Sequence, residues 1–163
     1  MAPEVARTKW NTKAPIEDRP REKQIIDGVA KGAPGYGLDP QAAAAFFTGQ
    51  IEASKVVQKT LHAEWIAKRQ PPFATIADLD KDIRPVLDRL TAAMLRRPAE
   101  ALPVLAQPGG RQLLEGRRTA ILGHSPAGEA AVREAVAPLL KLSRCPTGPS
   151  PTDYALPLAQ PSV

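Results

Sequence analysis

The chain has a single cysteine, Cys145, among its 163 residues, so neither an intramolecular disulfide nor a multi-cysteine zinc site is available. Rings are scarce too: two Trp, two Tyr and three Phe leave few faces on which nucleic-acid bases could stack. No uncharged apolar run approaches the roughly 20 residues that a membrane span requires. The first residues lack the basic-then-apolar layout of a signal peptide, so no intact export signal is expected. Alternating runs of β-branched residues, the mark of strands, are missing. The chain does hold helix punctuation throughout, and the fold class it predicts is all-α. Its 22 Lys and Arg against 17 Asp and Glu give a net charge of +5. That charge suits nucleic acid, an anionic surface or a small anionic substrate, and does not choose among them.

The punctuation predicts a series of helices. A short one runs from Ala2 to about Asn11, with no obvious cap upstream. Asp18 can cap a second, which tolerates Pro20 in its first turn and runs to about Lys31. Gly32-Ala33-Pro34-Gly35-Tyr36-Gly37 breaks it. A phosphate-binding loop would need a strand before these glycines, so they are read as a turn. Asp39-Pro40 supplies an N-cap and an N1 proline for the longest helix, which should reach about Arg69 before Pro71-Pro72 stops it. A fourth helix spans roughly Ile76 to Arg97, broken or restarted around Asp82 because Pro85 fits best in a first turn. Shorter helices follow near Gly110 to Leu122 and Ser125 to Leu142. Residues 1–143 are read as one all-helical domain. From Arg144 onward five of twenty residues are Pro and the last charge is Asp153, the composition of a disordered tail.

Polar residues interrupt faces that a bundle should keep apolar. In the long helix Phe47, Ile51, Ser54, Gln58, Leu61 and Trp65 follow steps of 4, 3, 4, 3 and 4, placing them on one stripe. A buried amide or hydroxyl without a partner costs on the order of 1 to 3 kcal/mol, so Ser54 and Gln58 should meet either a polar network or a ligand. Arg21 shares a stripe with Ile25 and Val29. It calls for an anion or for a salt bridge to Asp18 or Glu22. Arg84, one turn before Leu87, reads by itself as a snorkelling surface arginine. His62 and His124 have no partners at ligand spacing, so no metal site is expected. Cys145 reads as inert. Arg111, Arg117 and Arg118 read as a solvated face rather than a nucleic-acid patch.

These residues together resemble the AroQ-type chorismate mutases, in particular their exported, periplasmic subclass. The likeness lies in Val5-Ala6-Arg7-Thr8-Lys9-Trp10, then Pro15-Ile16-Glu17-Asp18-Arg19-Pro20-Arg21-Glu22, Gly37-Leu38-Asp39, and the stretch from Phe46-Phe47-Thr48-Gly49-Gln50-Ile51 through Glu52-Ala53-Ser54-Lys55-Val56-Val57-Gln58. Ile83-Arg84-Pro85-Val86-Leu87-Asp88 matches the additional helix of the exported subclass. The resemblance covers residues 4 to about 95. It implies an all-α fold, a homodimer, no metal and no organic cofactor, and rearrangement of chorismate to prephenate without a covalent intermediate. By similarity Lys9 would reach the ether oxygen and a carboxylate, and Gln58 would donate to the same ether oxygen. Ser54, Arg21 and Arg84 would bind the substrate carboxylates. Glu22 would accept from the ring hydroxyl, with Asp18 and Arg21 ordering that wall.

The family also places an arginine about eleven residues before the lysine, and counting back from Lys9 passes Met1. Arg7 is a poor substitute, since two residues along a helix is about 200° around it. The expectation is a shortened form of an exported, periplasmic or secreted enzyme, with impaired turnover as it stands. The alternatives are a catalytically impaired chorismate-binding or regulatory protein on the same fold, and a basic helical module for nucleic acid.

Overall fold

In the computed structural model the described residues are 1–105, 107–110, 112, 113, 116, 126–139, 141 and 142. His124, Cys145, Arg111, Arg117, Arg118 and the expected tail lie outside them, as does most of the helix expected near Gly110. Among the described residues the regular structure is helical, in the order α1 (Ala2–Thr12), α2 (Arg19–Gly32), α3 (Pro40–Ala67), α4 (Arg84–Leu105) and α5 (Pro126–Leu139). No helix there is long and apolar enough to cross a membrane.

Local chemistry sets the starts. The Asp18 side chain accepts from the Arg21 backbone N–H at 3.2 Å, and the Glu22 carboxylate accepts from the Asp18 N–H at 3.1 Å. This reciprocal cap satisfies donors that the first turn would otherwise leave unpaired. Pro20 has no N–H to lose there. Asp39 caps α3 in the same manner, accepting from the Ala42 N–H at 2.8 Å. Between α2 and α3 a short 3₁₀ turn, Ala33–Tyr36, ends at Gly37, whose φ of 70° is one that glycine adopts without strain.

The fourth helix departs from expectation at both ends. Residues 76–78 are not helical, because Asp78 adopts an extended backbone and its side chain accepts from the N–H groups of Asp80 and Lys81. A wide π-type turn, Leu79–Ile83, follows, and α4 proper starts only at Arg84. Pro85 cannot donate to a carbonyl of the preceding turn, which favours a change of register there. At the other end α4 runs past Arg97 and through Pro98 and Pro103. An interior proline costs about 3 kcal/mol. Burial of Leu95 and Leu102 in the core, with Ala99 packed against it, offsets that cost.

α3 is the axis on which α1, α2 and α5 pack. The core joins Val29, Leu38, Ala43, Phe46, Phe47, Leu95 and Leu102. Where α5 crosses α3 the backbones touch: a Cβ on Gly49 would lie 2.4 Å from the Glu134 carbonyl oxygen. Gln50 Nε2 ties the crossing by donating to the Ala135 carbonyl at 2.8 Å.

α1 is held by rings and polar ties. Trp10 meets His62 and Trp65 edge-on at centroid distances of 5.4 and 5.6 Å, and Trp65 meets Phe73 at 4.9 Å. Thr8 Oγ1 donates to the Ala77 carbonyl, and Asn11 exchanges two hydrogen bonds with the backbone of Phe73. His62 pairs with the Ala6 carbonyl at 2.9 Å.

Candidate active site

A cavity of about 260 Å³ opens between α1, α2, α3 and the π turn with α4. Lys9, Asp18, Arg21, Glu22, Ser54, Gln58 and Arg84, the seven residues singled out from the sequence, all line it. Ile25, Phe47, Ile51, Ile83, Leu87 and Met94 supply apolar wall. Arg7 does not line it; its guanidinium pairs with Glu4 and stacks over Phe73.

Lys9 reaches the cavity from α1, and its ammonium donates to the Ile16 carbonyl at 2.7 Å. Burial pushes this ammonium below the ordinary lysine value; Asp18 and Glu22 pull it back up, while Arg84 and Lys55 push it down further.

Ser54 and Gln58 satisfy each other in part along α3, Gln58 Nε2 donating to Ser54 Oγ at 3.1 Å. The sequence leaves a polar network or a ligand as the alternatives. The observed bond lies within one helix and leaves the second amide N–H of Gln58 uncommitted. Gln58 is only 4% exposed, and its Oε1 is buried with no hydrogen-bond partner. Such an orphan in a cavity wall is a feature that ligand or ordered water resolves.

The expected arginine pairings need correction. Arg21 bridges neither the Asp18 nor the Glu22 carboxylate. Its side chain donates to Gln24 at 2.8 Å and pairs with Asp88 of α4 at 3.4 Å. Asp18 and Glu22 are engaged in the helix cap, which removes them as close partners. Arg84 pairs with Asp80 one turn earlier, and its side chain is 41% exposed, as a snorkelling arginine's would be, although it still borders the cavity.

Sequence reasoning missed Lys55. Its side chain is 11% exposed, lines the cavity, and bridges Glu52 at 2.6 Å and Glu22 at 3.2 Å. Burial pulls its value down, but the hydrogen bonds and charges of Glu52 and Glu22 outweigh burial, so the ammonium is held above the ordinary lysine value. A signal existed: a core-facing helix buries three positions per heptad, and Lys55 and His62 occupy the third position beside Ser54 and Leu61. The two-per-heptad stripe is too narrow to include them. Asp88 was missed as well, although it stands in the quoted motif.

The arrangement can bind anions bidentately through guanidinium forks and donate hydrogen bonds from Lys9 and Gln58 into a mainly apolar space. Residues 1–59 match the family described as Chorismate mutase type II. The crystal structure of chorismate mutase from Burkholderia thailandensis is 33% identical, with a TM-score of 0.75 over 85% of this chain and 89% of that one. The chain belongs to the chorismate mutase family. Among curated proteins, the secreted chorismate mutase of Mycolicibacterium smegmatis is 31% identical over 104 residues, 64% of this chain and 57% of that protein. The secreted chorismate mutase of Yersinia pestis is 30% identical over 99 residues, 61% of this chain and 52% of that protein. The chain thus spans little more than half the length of these curated chorismate mutases. The family match spans six of the cavity residues named from sequence but stops before Arg84.

Proposed function

We propose that this chain converts chorismate to prephenate. The reaction is unimolecular: an ether C–O bond breaks as a C–C bond forms, and no nucleophile or proton transfer is needed. The protein's tasks are to hold a flexible dianion in a compact chair-like geometry and to stabilise negative charge growing on the ether oxygen. Arg21 and Arg84 take the two carboxylates, assisted by Ser54. Lys9 and the free Gln58 N–H converge on the ether oxygen, while Glu22 accepts from the ring hydroxyl. Asp18 acts through the helix cap that fixes Arg21 and Glu22.

The observation that carries this reading is the meeting of Lys9, Arg21, Gln58 and Arg84, from four helices, at one cavity whose wall is otherwise mainly apolar. Unrelated surface salt bridges would have no reason to converge. The test is to follow chorismate loss and prephenate appearance with the purified protein. Stoichiometric conversion is expected. Saturable chorismate binding without turnover would favour the binding-protein alternative, and absence of both would refute the reading.

The same proposal extends to a homodimer, from the resemblance, and to action outside the cytoplasm, supported by the names of the two secreted relatives. Sedimentation and cell fractionation test these separately.

A further inference from the structure

The cavity must receive a dianion, yet two carboxylates, Asp18 and Glu22, stand in its wall. Glu22 is the more deeply placed, with a side chain 21% exposed. Against a mainly apolar wall an uncompensated carboxylate repels a bound dianion, and more so than in bulk water, because charge interactions grow as the effective dielectric falls. Glu22 is compensated. One oxygen accepts from the Asp18 N–H at 3.1 Å, and the other lies 3.2 Å from Lys55 Nζ. Lys55 comes from the adjacent helix α3, and its ammonium is anchored on its other side by Glu52 at 2.6 Å.

We propose that Lys55 is a positioning residue of this site, pinning the Glu22 carboxylate to the cavity wall and cancelling its charge so that Glu22 can accept from a bound dianion without repelling it. The inference rests on the chorismate reading and adds a residue to it. The geometry supports three parts of the role. Both Glu22 oxygens are tethered, from different helices, so the carboxylate plane is fixed relative to the cavity. Glu52 is half exposed and lies one turn before Lys55 on the same helix, so it steers the lysine without adding a buried charge. Lys55 lines the same cavity as Ser54 and Gln58, so its loss would be felt where substrate sits.

A merely structural ion pair and a charge-cancelling one predict different outcomes for the pair of substitutions Lys55→Met and Glu22→Gln. The experiment measures chorismate affinity by calorimetry and kcat/KM for the wild type, both single variants and the double variant, with thermal midpoints recorded for all. If Lys55 cancels the Glu22 charge, Lys55→Met weakens chorismate binding by about tenfold or more. Glu22→Gln in the same chain then restores most of that loss, since a glutamine carbonyl still accepts and carries no charge. Lys55→Arg should keep most of the wild-type affinity. A double variant as weak as Lys55→Met, or a Lys55→Met variant that binds and turns over like the wild type, overturns the inference. In either case wild-type turnover leaves the chorismate reading intact. A wild type that binds no chorismate overturns both. If Lys55→Met fails to fold, the Lys55→Gln and Glu22→Gln pair supplies the same comparison.

Discussion

Lys9 carries its charge into a wall where burial works against it. A lysine held below its ordinary value sheds its proton sooner as pH rises. Because kcat/KM reports groups of the free enzyme, its alkaline limb should fall at a pH below the ordinary lysine value of 10.5. A profile flat to that pH would mean that the Lys9 ammonium plays no part. Gln58 makes the complementary case. Its amide donates at any pH, whereas a glutamate at that buried position donates only while protonated, with burial lifting its carboxyl above the usual value near ~4.3. Activity of Gln58→Glu should therefore decline as pH rises through that carboxyl's titration, with the optimum moved acidward of the wild type's. An unchanged pH–rate profile in an active variant would contradict a donor role. At this scale the sequence revealed the polar residues through their cost: Ser54, Gln58 and Arg21 stand out because an apolar stripe should exclude them. It did not reveal their partners. The pairing of Arg21 with Asp88 depends on how α2 and α4 come together, which no local rule contains.

Helix starts were legible because caps act within three or four residues, as Asp18 and Asp39 do. The end of α4 was not, because Pro98 and Pro103 are tolerated through burial of Leu95 and Leu102, a tertiary gain that opposes the local signal. Glycines show the same division between local and long-range causes. Gly28 lies within α2 with nothing within 4 Å of a Cβ, so Gly28→Ala should stabilise by up to about 1 kcal/mol through helix propensity. Gly49 lies within α3 under the α5 backbone, where a Cβ would sit 2.4 Å from the Glu134 carbonyl and 2.7 Å from Pro138 Cγ. There Gly49→Ala should destabilise by about 1–3 kcal/mol, despite the same gain in propensity, because α5 must move away. Denaturant unfolding of the two variants checks both signs. Equal effects would mean that the α3–α5 crossing contributes nothing to stability.

Taken whole, the molecule uses α3 as a rail that carries Phe47, Ser54, Lys55 and Gln58 along the cavity and Trp65 and His62 beyond it. The ring cluster of Trp10, His62, Trp65 and Phe73 fixes α1 against that rail, and α1 delivers Lys9. The helical class and the gathering of distant polar residues were foreseeable from sequence pattern and resemblance, since both rest on residue type in order. The shape of the cavity was not, because it is set by the π turn and by how far α4 leans on the core. The central claim is that the cavity works by electrostatic donation to one oxygen atom. Its most direct test is kcat/KM for chorismate in a folded Lys9→Met/Gln58→Leu variant beside the wild type. Loss of one preorganised donor commonly costs about a hundredfold to a thousandfold, so removal of both should reduce kcat/KM by at least about a thousandfold. A well-folded variant that stays within about tenfold of the wild type would contradict the account and move the chemistry away from this cavity.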